Sequence, residues 1–157
     1  MRAGMVTTYT VLKTIHVLAA ATWVGGGSFV TALASRARRE QSPERLANLL
    51  RLVEPIAKRI FPGSGLVLVV TGFWMIGNGN LPYDTWIILG IIAWAYSFVV
   101  GGAVIGPTVG KAVQAFDEGG PTSAAATPFV SRFMLFTRID SLVLALVIVD
   151  MVIKPGT

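Results

Sequence analysis

Five ionisable residues stand within long apolar runs of this chain: Lys13, His16, Arg138, Asp140 and Asp150. At mid-bilayer such a group costs at least ~2.5 to 3.5 kcal/mol unless it is paired or hydrated, so these positions form a candidate intramembrane polar cluster. His16 is the single histidine. Its imidazole can ligate a haem iron or a metal ion, carry a proton, or serve as a hydrogen-bonded packing group. Thioether sulfurs at Met75 and Met151, from the outer ends of the second and fourth apolar runs, would join His16 in a soft metal site of the kind that suits copper. A bis-histidine haem within one chain is ruled out, so a b-type haem on His16 needs its other axial ligand from another subunit.

Lys13, His16, Ala20, Trp23, Gly27 and Thr31 recur at spacings of three and four, which predicts one shared helical face turned into a bundle. At ~1.5 Å of rise per residue, Lys13 and Asp150 both fall about one turn below the same membrane surface. They can pair across helices or snorkel separately to water. Arg138 is expected to reach the headgroups on the other side. Asp140 lies near the depth of Gly25 to Gly27, where missing side chains leave room, and an ion pair, a transport role and a proton role are all open to it.

The elements that must hold these residues follow from composition. Of 157 residues 54% are apolar and 13% charged, and the mean hydropathy is +0.69. An ordinary soluble domain carries roughly 25% charged residues, so a membrane protein is expected and disorder is excluded. Apolar runs occupy about 6–34, 61–77, 85–109 and 129–153. A helix needs about 20 residues to cross the hydrocarbon core, and strands of about 5 to 6 residues are far shorter than these runs. The expected fold is therefore all-α, a single integral membrane domain over 1–157 built as a four-transmembrane-helix bundle. Ala32-Leu33-Ala34 has the form of a signal-peptidase site, but the length of the first run, with Lys13 and His16 inside it, predicts a retained span.

Between the first two spans, Ser42-Pro43-Glu44 reads as an N-cap, a proline at the first helical position and an acid in the first turn. Leu46, Leu49, Leu50, Val53, Ile56 and Ile60 follow at helical spacing. An amphipathic helix over about 43–59 is expected, bent at Pro55, lying either in the lipid interface or against the end of the bundle. Residues 36–59 hold seven cations against three acids, and the turn from Asn78 to Asp84 holds no cation. The positive-inside rule then puts the first loop in the cytoplasm and both termini outside a bacterial inner membrane. Tyr9, Trp74, Tyr83 and Trp86 fall at the outer boundary, where aromatic rings prefer to sit. The basic charge is thus topological, and the expected partners are the lipid bilayer and, for a subunit role, a second copy or other membrane subunits, with no nucleic acid.

Glycines at 102, 106 and 110, and Ala21 with Gly25, form small-residue faces that let helices approach closely. The Gly119 to Ala126 segment reads as a flexible cytoplasmic linker. With no cysteine, disulfides, iron-sulfur clusters, thiolate zinc sites and cysteine nucleophiles are excluded. No Gly-x-Ser-x-Gly or His-Glu-x-x-His occurs, which disfavours the familiar hydrolase classes.

Leu12-Lys13-Thr14-Ile15-His16-Val17-Leu18 followed by Thr22-Trp23-Val24-Gly25-Gly26-Gly27 resembles the first helix of a bacterial family of predicted integral membrane proteins grouped as a domain of unknown function. The ending Met151-Val152-Ile153-Lys154-Pro155-Gly156 resembles that family's tail. More distantly, a histidine separated by six residues from Trp-x-Gly in a first span is similar to copper-resistance D-type proteins and to HemJ-type protoporphyrinogen oxidases. The second resemblance implies a haem ligand at His16. The expected function is a non-enzymatic membrane module, either an accessory subunit or a small-solute or metal-handling protein, with a b-type haem redox protein as the alternative.

Overall fold

The computed structural model describes residues 7–156. Four helices are joined by short turns: α1 (Thr8–Arg39), α2 (Pro43–Gly79) and α3 (Thr85–Gly119), then α4 (Thr127–Ile153). Each packs on the next, and α1 also packs on α4, so the bundle closes into a ring. α1, α2 and α3 are each long and apolar enough to cross a membrane. α4 is less uniformly apolar, since it carries Arg132, Arg138, Asp140 and Asp150.

Local chemistry sets the ends. The Thr7 hydroxyl accepts from the Thr10 N–H at 3.2 Å and caps α1. Arg36, Arg38 and Arg39 fill its last turn, where the carbonyl end of the helix dipole favours cations. Pro43 opens α2 and Glu44 sits in its first turn. Ser42 takes the N-cap position without a side-chain capping bond; its backbone carbonyl accepts from Leu46 instead. Asn80 ends α2 in the left-handed region at φ 47°, and the Leu81 N–H returns to the Ile76 carbonyl.

The expected amphipathic segment does not form a separate interfacial helix. Residues 43–59 are the opening turns of α2, which continues without a break through Pro55 and Pro62 into the apolar run. Its apolar face is covered by protein: Leu46, Ala47, Leu50 and Val53 are all buried. Leu46, Ala47 and Leu50 join Ala34 and Ala37 of α1, Val109, Ala112, Val113 and Phe116 of α3, and Val130, Phe133 and Met134 of α4 in one core. The physical reason is length. At 37 residues α2 is about 55 Å long at ~1.5 Å per residue, against ~30 Å of hydrocarbon, so much of it lies beyond the lipid core and must bury its apolar stripe elsewhere.

This basic end is laced with ion pairs on its surface. Arg36 and Arg45 both bind Glu40, Lys58 binds Glu54 at 2.6 Å, and Arg51 ties α2 to α3 through Asp117 at 2.8 Å. The Arg36 hydrogen bond, with that of Arg45, holds the Glu40 carboxyl below the ordinary carboxylate range. The segment read as a flexible linker is a compact turn, with Gly120 at φ 76°, a 3-10 turn over Ala124–Ala126, and Ala126 buried in the core. Toward the far end the outer surface turns apolar, with Leu66, Val70, Ile92, Val99, Leu142 and Leu146 all exposed. Such a continuous apolar coat is what lipid requires.

A cavity at two widened helical turns

Two helices widen for one turn. α1 does so over Ala21–Gly25 and α3 over Gly101–Ile105, each as a π-helical segment. Such turns are rare and occur often at functional sites, because the extra residue pushes backbone and side chains out of register. Both border a cavity of about 130 Å³ at the centre of the bundle. All four helices contribute walls, among them Trp23, Gly27, Phe61, Ser97, Phe98, Gly101 and Asp140. Nothing lies within 4 Å of where side chains at Gly25, Gly27, Gly101 or Gly102 would begin. The small-residue faces therefore open space at these positions; close approach is confined to neighbours such as Gly65, where a Cβ would stand 3.0 Å from both the Phe98 and Trp23 rings.

Ser28, Thr31, Ser97, Thr137, Asp140 and Ser141 supply the polar side chains of this cavity, and some of their atoms are incompletely used. Thr31 and Thr137 donate to the Gly27 and Phe133 carbonyls of their own helices, at 2.9 Å and 2.8 Å. Ser97, only 1% exposed, lies close to Asp140, yet neither Ser97 Oγ nor Asp140 Oδ1 has a hydrogen-bond partner of good geometry. No ion pair among the described residues involves Asp140. The described residues therefore do not supply the ion pair open to it from sequence, and Arg138 is exposed on the outside of α4. The apolar and aromatic walls are braced by ring contacts. Trp23 meets Phe98 edge to face at 6.4 Å, Phe98 stacks on Trp94 at 5.3 Å, and the Trp94 Nε1–H donates to the Gly65 carbonyl at 2.9 Å.

A wider groove between α2 and α3 meets the cavity at Ala57, Pro62, Gly101 and Gly102, which line both. Its remaining walls include Glu54, Lys58, Lys111, Gln114, Asp117 and Glu118. A polar path therefore leads from the basic end to the widened turn of α3.

His16 lies outside this cavity, against α2. Thr71 Oγ1 gives its hydrogen to the Val67 carbonyl at 2.6 Å, so it accepts from His16 Nδ1 at 3.1 Å. That assigns the proton to Nδ1 and leaves Nε2 as the basic nitrogen. Gly72 lies beneath the ring, where a Cβ would stand 3.2 Å from Cε1 and the imidazole would have to give way by a few tenths of an ångström. Met75 sits one turn beyond Thr71 on the same face of α2. Met151 is engaged elsewhere, its methyl group filling the notch left by Gly90 on α3. Among the described residues no group of three or more metal-ligating histidine or carboxylate side chains occurs.

Lys13 does not pair with Asp150 in any ion pair of the described residues. Leu12, Ala19 and Trp23 are the buried residues of this stretch, with His16 half-buried between them, and Lys13 is exposed. The inward seam thus runs Leu12, His16, Ala19, Trp23, and Lys13 lies about 100° from Leu12 around the helix. Asp150 is half-buried, with Oδ2 covered and unbonded. At the same end Lys154 Nζ lies 5.2 Å from the Trp86 ring centroid.

No curated protein and no solved structure matches the chain. Residues 10–155 match the family model described as predicted integral membrane protein DUF2269. With that match running through all four helices, the chain belongs to the DUF2269 family of predicted integral membrane proteins.

Proposed function

We infer that this protein is a four-span bacterial inner-membrane module, with α4 as the fourth span and both termini outside, that admits a small solute into its central cavity from the cytoplasmic side. It acts there as a permeation unit or as an accessory subunit that holds the solute for a partner. One observation carries this reading: an Asp140 oxygen and the Ser97 hydroxyl, close to each other and with no further partner, face a cavity that opens at the widened turn of α3. A purely structural bundle would close such a gap, because buried polar groups without partners cost roughly 1 to 3 kcal/mol each. The cluster of cations between α1 and α2 supports the orientation.

The cysteine-free background makes the test direct. With Ser97→Cys and Leu146→Cys introduced singly in proteoliposomes, a small neutral methanethiosulfonate is expected to modify position 97 at least tenfold faster than the lipid-facing position 146. Equal rates would remove the solute-binding reading.

A second reading keeps His16 as a metal or haem ligand. Its support is the Nδ1–H bond to Thr71, which fixes the ring and leaves Nε2 as a donor, the arrangement common to ligating histidines. The central cavity does not serve this role, since it lacks His16 among its walls and is smaller than the roughly 300 Å³ at which drug-sized sites begin. The ligand would therefore bind at the α1–α2 seam, with Met75 as the neighbouring sulfur or a group from another subunit. A Soret band in protein purified from haem-replete cells, or loss of copper binding in His16→Ala, is the expected signature. A colourless preparation with unchanged metal binding would end this reading.

A further inference from the structure

We propose that the central cavity is a binding site for a small organic ammonium ion, reached through the groove between α2 and α3. The inference rests on the solute-binding reading above and names the class of solute. Three observations carry it. The first is charge: Asp140 has a buried oxygen with no partner and no ion pair, at a depth where an uncompensated carboxylate is costly. Ser97, 1% exposed and with no partner besides the neighbouring Asp140, adds a hydroxyl oxygen beside it. Two adjacent acceptors suit a donor-rich cation.

The second observation is that Asp140 is the one carboxylate among the lining residues. Calcium and magnesium sites are built mainly on carboxylates and waters in regular oxygen shells, whereas most of this lining is apolar and its other polar side chains are the neutral hydroxyls of Ser28, Thr31, Ser97, Thr137 and Ser141. A bare divalent ion would keep an unbalanced positive charge there. The rings of Trp23, Phe61, Phe98 and Phe133 on the walls suit an alkyl group and the positive edge of an ammonium instead. The third is size. At about 130 Å³ the cavity approaches the ~150 Å³ apolar cavity that accepts benzene, so a cation of roughly five or six heavy atoms fills it. A proton alone would neutralise Asp140 and would need no such space.

Access follows from the shared walls. Gly101 and Gly102, which carry no side chains, line both groove and cavity, and Glu54, Asp117 and Glu118 stand along the approach together with Lys58 and Lys111. Glu54 and Asp117 are held there by Lys58 and Arg51.

The test is calorimetric titration of the detergent-purified full chain with methylammonium, n-butylammonium and octylammonium chlorides and with 1-butanol. We expect n-butylammonium to bind most tightly of the three cations and at least tenfold more tightly than 1-butanol. Asp140→Asn should weaken n-butylammonium at least tenfold while leaving 1-butanol unchanged, and Ser97→Ala should weaken n-butylammonium about threefold. Ser97→Ala keeps the test valid should Asp140→Asn fail to fold, since a hydroxyl deletion at a site holding no ammonium would leave the affinity unchanged. Equal affinity for n-butylammonium and 1-butanol would overturn the ammonium assignment while sparing the solute cavity. Absence of binding by every probe, together with an unreactive thiol in the Ser97→Cys variant, would overturn both.

Discussion

The two ends of this bundle solve the same problem with opposite materials. At the basic end, Leu50, Val109 and Phe133 are sealed inside a protein core and the charges are outside in ion pairs. Toward the far end, large apolar side chains such as Leu142 and Leu146 face outward, and the polar groups His16, Thr71, Ser97 and Asp140 turn inward or toward the neighbouring helix. Such an inversion is what helices that pass from water into lipid require. It also separates the sources of stability: hydrophobic burial acts at the basic end, whereas between lipid-embedded helices packing and hydrogen bonds must do most of the work.

The contrast can be broken most forcefully by truncation. Phe133→Ala should cost ~3 to 5 kcal/mol and Leu50→Ala ~2 to 5 kcal/mol, read as shifts in urea titrations of the detergent-solubilised protein. Leu146→Ala should cost under about 1 kcal/mol, since lipid or detergent replaces the lost contacts. Comparable losses at Leu146 and Leu50 would mean that the boundary is misplaced.

Labelling sharpens the same boundary. In reconstituted vesicles, single cysteines at Leu52 and Gln114, both exposed at the basic end, should react with a charged maleimide at least tenfold faster than one at Leu146. Similar protection at all three would place the basic end in lipid. The interhelical bond supplies a smaller effect. Thr71→Val removes the acceptor for His16 Nδ1 and should cost about 0.6 kcal/mol, with ~1.7 kcal/mol as the ceiling seen for such bonds in membranes. A loss of about 3 kcal/mol, well above that ceiling, would mark Thr71 as far more than a local partner.

Smallest of all is the contribution of Glu40, whose ion pairs are exposed to water and screened by salt. Its carboxyl titrates lower in the folded chain than when unfolded, so its contribution is present above the unfolded value near ~4.3 and disappears as pH falls through the folded value. The stability difference between the protein and Glu40→Gln should therefore be constant from about pH 7 to 5 and shrink below about pH 4. A difference that grows in acid would reverse the assigned sign.

The sequence was most legible where a periodic or compositional signal met a single solvent. The apolar runs marked the helices, and Asn78 to Asp84 marked a turn. The 43–59 segment shows the limit: its amphipathic stripe specifies an apolar neighbour but not whether that neighbour is lipid or protein, and here it is Val109, Phe116 and Phe133. Lys13 and Asp150 show another. Helical rise gives depth, but azimuth depends on which residues the neighbours bury: His16, Trp23 and Thr31 of the expected face do turn inward, whereas at its end Leu12 is buried and Lys13 is exposed. The cavity left only a faint trace. Glycine at 25, 27, 101 and 102 is compatible with tight packing or with empty space, and the widened turns that choose between them have no residue code of their own. Asp140 stood out as a charge in an apolar run, whereas Ser97 became visible only as its neighbour in three dimensions.

The composition of the basic-end core also bears on how the chain reaches its final state. That core draws on every helix, from Ala34 to Met134, so it cannot close until the last helix has arrived. A chain interrupted after α3 would leave Leu46, Leu50 and Phe116 without Phe133 and Met134 to cover them, an exposed apolar surface of the kind that chaperones and proteases act upon. Completion of the bundle is thereby registered at its basic end, in the burial of a few side chains.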